Sequence, residues 1–376
     1  MRAAIDAGPD GPLAGDPGRI HQEGMTARVA IEHAREHVAD AFGARSREVV
    51  FTSGATESIA AATWGARART TANAAEAAHA GGENDRCVDD HVVLAAVEHS
   101  AVREWSARGR HTVVGVDRTG RIDPDDLIAA IDDSTVLVHV QWANHEVGTL
   151  QPVAEVIAAC RAKGVLVHID AAQAGGHVPI DFVASGADLM SISGHKFGGP
   201  TGTGALLVRR GVRVPPLMVG GDQERARRAG MEHTLGVLGF AAAAVDTAQT
   251  MADEQLRTRA LTDRIRAWAA ALPSDSGIAV VGAAANASLP HIVCMTFSDV
   301  EPQPVLMGLD RAGVAVHSGS SCSSESLEPS PVLDAMGVDA QRSLRVSVGW
   351  SSTDDDVTRL LEALPRVLGE LRSLAR

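Results

Sequence analysis

The chain predicts an α/β fold, a mainly parallel sheet sandwiched by helices and followed by a smaller α+β unit. Three observations carry this reading. Short apolar runs alternate with helical patterns through the first two thirds of the sequence, as in sheets covered on both faces. Two of those runs end in side chains suited to chemistry, Asp170 and Lys196. Near residue 240 the pattern changes to a long Ala-rich helix and then to mixed strands and helices.

In order, Val49-Val50-Phe51-Thr52 reads as a strand ending at Ser53-Gly54-Ala55-Thr56-Glu57, and Ile59, Ala60, Ala62 and Trp64 suit the helix after it. Residues 65–90 read as an extension of that helix plus an acidic solvated loop. His91–Ala95 is the next strand. A helix over Pro124–Ile131 has Asp123 as its N-cap and Pro124 in its first turn. Thr135–Val140, Val165–Ile169 and Leu189–Ser193 complete the central strands. A helix from Phe240 to about Leu272 leads into strands at His291–Phe297, Val314–His317 and Arg345–Val348, and an amphipathic helix over Thr353–Leu374 closes the chain. The division expected is a large domain over residues 14–240 and a small one over 241–376, joined by residues 1–13.

A chain of 376 residues exceeds one ordinary core, which is why two are expected. The net charge of −13 argues against nucleic acid or an anionic membrane as partner, because both need clustered basic surface. No apolar run approaches the roughly 20 residues of a membrane helix. The start, Met1-Arg2-Ala3-Ala4-Ile5-Asp6, lacks the apolar stretch of a signal peptide, so a cytoplasmic protein is expected. The four cysteines, Cys87, Cys160, Cys294 and Cys322, show no paired CxxC spacing, which argues against a zinc site or a disulfide framework.

Chemistry in α/β proteins collects outside the carboxyl ends of parallel strands. An acid and a lysine delivered there suit pyridoxal 5'-phosphate (PLP), whose aldehyde bonds a lysine and whose ring nitrogen takes an aspartate partner. Ser53-Gly54-Ala55-Thr56 is either plain turn chemistry or a phosphate cradle at a helix N-terminus. His99 is either structural or a ring that stacks on the cofactor and moves protons. Asn144 either caps a turn or holds the cofactor's ring hydroxyl, and His195 is a phosphate ligand or packing. The cradle, His99, Asn144, Asp170 and Lys196 occur in the order a PLP fold would present them.

Eight short stretches give the chain a specific resemblance. Phe51–Ser58, Glu98-His99, Asn144–Gly148, Asp170–Gln173, Ser193–Pro200, Gly220–Arg225, Ser318–Cys322 and Ser343–Gly349 together resemble a cysteine desulfurase, a class V aminotransferase relative of PLP fold type I with a seven-stranded-type sheet. The likeness spans about residue 14 to the C-terminus. It implies that Lys196 bonds the cofactor and moves the substrate's α-proton, that Asp170 protonates the ring nitrogen, and that Gln173 reaches the ring oxygen while His99 stacks on the ring. Ala55, Thr56, Ser193 and His195 would bind the phosphate, Asn144 would touch cofactor and substrate, and Arg345 would pair with a substrate carboxylate.

Cys322, among Ser318, Gly319, Ser320, Ser321, Ser323 and Ser324, would be the nucleophile that takes sulfur from L-cysteine as a persulfide. A sulfur-acceptor protein, an iron–sulfur scaffold or a tRNA thiolation enzyme, would receive it, and the enzyme would be a homodimer. A selenocysteine lyase and a scaffold without activity are the alternatives. The chain departs from the family at its opening helix, which is missing, and at Met231, where a threonine is usual.

Overall fold

The fold is described from a computed structural model over residues 11, 13, 15–79, 90–318 and 329–374, with the side chains of 70–79 set aside. Cys322, Cys87 and nearly all of residues 1–13 lie outside these described residues. The main sheet has seven strands: β1 Val49–Thr52, β2 His91–Ala95, β3 His111–Val114, β4 Thr135–Gln141, β5 Leu166–Asp170, β6 Leu189–Ser193 and β7 Gly204–Val208. Their spatial order is β1-β7-β6-β5-β4-β2-β3. The pairs from β3 through β6 are parallel, and β7 runs antiparallel to both of its neighbours. A second, antiparallel sheet has the order β10-β9-β8, from β8 Ile278–Val281, β9 Ile292–Phe297 and β10 Ser343–Ser347.

Seven helices build the layers or position the site: α1 Gln22–Ala41, α2 Ala55–His79, α3 Ser100–Ser106, α4 Val153–Lys163, α5 Thr234–Ala270, α6 Pro302–Arg311 and α7 Asp354–Leu374. Of these elements α1, α3, α4, α6, β3, β7 and β8 go beyond the sequence reading. That reading also expects a strand at Val314–His317, where only a single bridge, His317 to Arg345, forms.

The central strands explain the layers. Side chains alternate between faces with period two. On one face Val138, Val140, Val167, Ile169, Met190 and Ile192 join the largest core, with α1, α4 and the start of α5. On the other, Leu137, Leu166 and Leu189 pack with Ala62 and Ala66 of α2. Beyond those leucines, toward the carboxyl ends, this second face turns polar: His139 and Gln141, His168 and Asp170, Ser191 and Ser193.

The first of these polar rows is a closed chain of hydrogen bonds. Thr63 of α2 donates to the Ile59 carbonyl at 2.9 Å, so it accepts from His139 Nε2 at 3.1 Å. His139 Nδ1 therefore accepts from His168 Nδ1 at 2.9 Å, and His168 Nε2 accepts from Ser191 Oγ at 2.7 Å. Burial keeps both imidazoles neutral, pushing His168 down to about 3 and His139 well below its usual range.

A second core holds Val293, Met295, Phe297, Leu344, Val346, Leu360 and Leu364. α5 runs through residue 240, where the sequence places the change of pattern, and serves both cores: Phe240 and Ala244 enter the first, Leu261 and Ile265 the second. By length and composition α5 alone among the described helices could cross a bilayer, which corrects the reading that no apolar run is long enough. Its alanines make it apolar, and it is packed here in the two cores.

A buried ion pair fastens the edge of the main sheet. Arg35 of α1 donates to both carboxylate oxygens of Glu224, at 2.6 and 2.8 Å, and to the Val49 carbonyl, while Phe51 N donates to Glu224. To present that carboxylate the turn holds Glu224, Arg225 and Ala226 at φ of 49°, 58° and 59°. Left-handed backbone costs a residue with a Cβ about 1 kcal/mol or more. Ala226→Gly should therefore stabilise the protein by about 1 kcal/mol, and Arg35→Met, which strands a buried carboxylate, should destabilise it by about 3–5 kcal/mol. Chemical unfolding of both variants checks the pair.

Candidate active site

The carboxyl ends of β1, β2, β4, β5 and β6 open on one cavity of about 620 Å3, a size that holds a cofactor with its substrate. Ser53–Thr56 follow β1, His99 follows β2, Gln141 and His145 end or follow β4, and Asp170 and Gln173 lie at the end of β5. Ser193, His195 and Lys196 follow β6, and Arg345 comes from β10 of the other sheet. The structure thus gathers Lys196, Asp170, Gln173, Ala55, Thr56, Ser193, His195, His99 and Arg345 around a single space.

At the phosphate end, Gly54 has φ 152°, a conformation for glycine, and Ala55 and Thr56 open α2, so their backbone N–H groups have no partner within the helix. Ser53 N donates instead to Glu57 at 2.8 Å, and Arg228 donates to the same carboxylate at 2.9 Å. Burial pushes the Glu57 carboxyl up, but the bonds from Arg228 and Ser53 outweigh it and hold it below its usual value. Opposite, Ser193 Oγ and His195 Nδ1 lie 3.0 Å apart. Partial burial and the Lys196 charge lower His195, which leaves its imidazole neutral at pH 7.

In the middle, Asp170 is buried and accepts from Ala172 N at 3.0 Å. His99 caps α3 by accepting from Ala101 N on Nδ1 at 3.1 Å, which leaves Nε2 as the ring's donor atom. His145 meets His99 edge-on at 5.3 Å between ring centres, and its Nε2 is 3.6 Å from the buried carboxylate of Glu146. This third cavity imidazole has no forewarning in the sequence, because nothing in Asn144-His145-Glu146 says which side chain turns inward.

Asn144 requires a correction. It does not line the cavity: its Oδ1 accepts from Glu146 N and Val147 N, and its Nδ2 donates to the Val97 carbonyl at 3.2 Å. The bland alternative, a turn cap, is what its side chain does here, and no contact to cofactor or substrate follows from it.

Arg345 reaches the cavity through strand alternation. Val293, Met295 and Phe297 of β9 face the second core, while Ile292 and Cys294 face the first. Arg345 pairs with Cys294 and so shares that inward face. Its Nη1 donates to the His145 carbonyl at 3.0 Å, and its guanidinium, planar and charged, suits a carboxylate. Cys160 and Cys294 are fully buried, and desolvation pushes both thiols up to about 12, which suits packing.

Behind Asp170 lies an acid that enters the sequence reading only as part of a motif. Glu98 is 1% exposed, accepts from Gln141 N at 2.8 Å, and has no hydrogen-bond partner for Oε2 among the described residues. Desolvation, with the charge of Asp170 added, pushes it up to about 8. Stability from this neutral acid is full below the ordinary value of 4.5 and is lost as pH rises to about 8. In cofactor-free protein, Glu98→Gln should therefore gain on the wild type by ~1 kcal/mol or more between pH 5 and pH 8, read from unfolding midpoints.

The cavity's chemistry fits PLP: one amine for an aldehyde, one buried acid for a ring nitrogen, and an N-terminal cradle for a phosphate. Comparison with known proteins agrees. The aminotransferase class-V family model matches residues 14–360. The "Cysteine desulfurase IscS" of Methanosarcina thermophila is 38% identical over 370 residues, covering 96% of this chain and 87% of the relative. A solved "NifS-like protein" superposes with a TM-score of 0.84 at 29% identity, covering 98% of this chain and 95% of that one. A solved "SspA in complex with cysteine" has a TM-score of 0.74 at 25% identity over 93% of this chain and 95% of that one.

Proposed function

Since the chain belongs to the class-V aminotransferase family and, within it, to the cysteine desulfurases, we propose that it converts L-cysteine to L-alanine and hands the sulfur to an acceptor protein. The convergence of Lys196, Asp170, the Ser53–Thr56 cradle and Arg345 on one cavity supports this reading most directly.

Bound PLP supplies an electron sink for charge left on the substrate's α-carbon. The protein's part is placement and proton transfer. Asp170 would hold the proton on the ring nitrogen. Ala55, Thr56, Ser193 and His195 would hold the phosphate, with the α2 dipole favouring its charge. Arg345 would take the amino-acid carboxylate and so fix which bond at the α-carbon faces Lys196, whose Nζ would hold the α-proton once it is taken. His99, which lines the cavity, would serve as the ring's stacking partner, and Gln173 would donate to the ring oxygen.

Cys322 lies outside the described residues, and its role is read from the Ser318–Cys322 motif. Its thiolate attacks the substrate sulfur. A sulfur–sulfur bond forms as the carbon–sulfur bond breaks, and the carbon skeleton regains a proton and leaves as alanine. The persulfide then passes to an iron–sulfur scaffold or a tRNA thiolation enzyme. We place this thiol chemistry in the cytoplasm, whose reducing poise keeps Cys322 free. We also propose a homodimer, because Met231, 67% exposed, and Gly202 line a second cavity that meets the first at Ser53, where a partner subunit could close the phosphate end.

Purified protein should be yellow and release alanine from L-cysteine, with sulfide when a reductant is present. Cys322→Ala should keep the visible band and lose turnover, whereas Lys196→Ala should lose both the band and turnover. Asp170→Asn should lower kcat by about 100-fold or more, since a buried charge facing the ring is removed. A colourless protein, or turnover that survives Cys322→Ala, would overturn the proposal.

A further inference from the structure

Outside the cavity two histidines stack face to face. The rings of His177 and His291 have centres 3.7 Å apart and planes 27° from parallel. Neither lines the cavity, yet each holds a group that does or that belongs to a residue that does. Gln173 Nε2 and His291 Nε2 are 3.0 Å apart. An amide nitrogen only donates, so His291 Nε2 accepts and its proton sits on Nδ1. His177 Nε2 lies 2.9 Å from the Lys196 carbonyl, which only accepts, so His177 donates from Nε2.

The surroundings enforce these roles. Desolvation and then the charge of His177, with Lys196, Arg345 and Arg259 beyond, keep His291 well below its usual range, so its accepting nitrogen stays unprotonated. His177 is also lowered by burial, partly offset by its bond to Lys196 O and by Glu254. The backbone is shaped for the contact. Gly176 has φ 81°, and a Cβ there would sit 2.4 Å from Phe197 Cβ, so only glycine lets this turn close on the segment carrying Lys196. Gln255 of α5 donates to the His177 carbonyl at 2.7 Å and fixes the turn from the far side.

We propose that the stacked pair His177–His291 is a positioning unit for the active centre: His291 sets the Gln173 amide as a donor toward the cofactor's ring oxygen, and His177 anchors the main chain of Lys196. The stack makes the two settings one, because neither ring can tilt without moving the other. The proposal rests on the PLP reading of the cavity.

The test uses the holoenzyme and the variants His291→Phe, His291→Asn and His177→Phe. Phenylalanine keeps the stacked area and removes the nitrogen. In His291→Phe, Gln173 loses its partner and stabilises the ring's anionic oxygen less. The pH midpoint of the visible cofactor band should then rise by about half a unit to one unit. Its kcat should fall about five- to tenfold with KM for L-cysteine within about twofold, the worth of one hydrogen bond in placement. His291→Asn, which keeps an acceptor, should recover part of both. His177→Phe, at a less buried ring, should lower kcat with KM held and leave the thermal midpoint within a few degrees.

Unchanged band midpoint and kcat in His291→Phe would overturn the positioning role, and so would losses that follow thermal stability alone. Failure of wild-type protein to bind PLP at all would instead defeat the reading of the cavity. The two failures are therefore distinguishable.

Discussion

Everything at the active centre depends on the register of β4, β5 and β6. In the parallel ladder His139 sits beside His168 and Gln141 beside Asp170, and Asp170 beside Ser191 across the next pair. A slip of one residue would turn Asp170 to the opposite, apolar face and bury a charge there. The hydrogen-bonded row Thr63–His139–His168–Ser191, one step below the site, opposes such a slip. It runs in a single direction with every donor and acceptor used once, and it binds all three strands to α2, whose first turn is the phosphate cradle. Apolar side chains in those places would pack as well and specify the register less.

The second sheet contributes one residue to the cavity, and the reason lies in β9. This strand has a core on each side, so its partner β10 has an inward face that can carry Arg345 toward the first sheet. The loop after β4 receives it. Thr149 bridges to Ser288, Leu150 N donates to Ala287 O, and Leu289 N donates to Gly148 O. The two sheets therefore meet through a laced seam that ends at the His145 carbonyl under Arg345.

What is legible in the sequence is local. Lys196 and Asp170 are announced by apolar runs that end in them, and Ser53–Thr56 by a turn between strand and helix. The features that stay hidden are those whose meaning depends on a distant partner. His291 matters only because His177 and Gln173 lie beside it, and Glu98 shifts only because Asp170 and a dry interior surround it. Asn144 misleads because a turn cap and a ligand look alike in sequence. β7 escapes notice because Gly204–Val208 is a short apolar run whose antiparallel pairing with β1 and β6 cannot be seen locally. α5 starts earlier than its sequence suggests, since its first turns, Thr234–Gly239, mix small and apolar residues without a stripe.

The edge position of β1 also shapes how the chain must be born. Val49 pairs with Leu207, and β1 touches no other strand. During synthesis the first strand of this sheet must wait for its last, while each of β3 through β6 finds a partner strand already made. Such long-range closure is slow and leaves an apolar edge open to strangers. The phosphate cradle hangs from β1, so the nascent chain is unable to grip its cofactor until the ribosome has delivered β7.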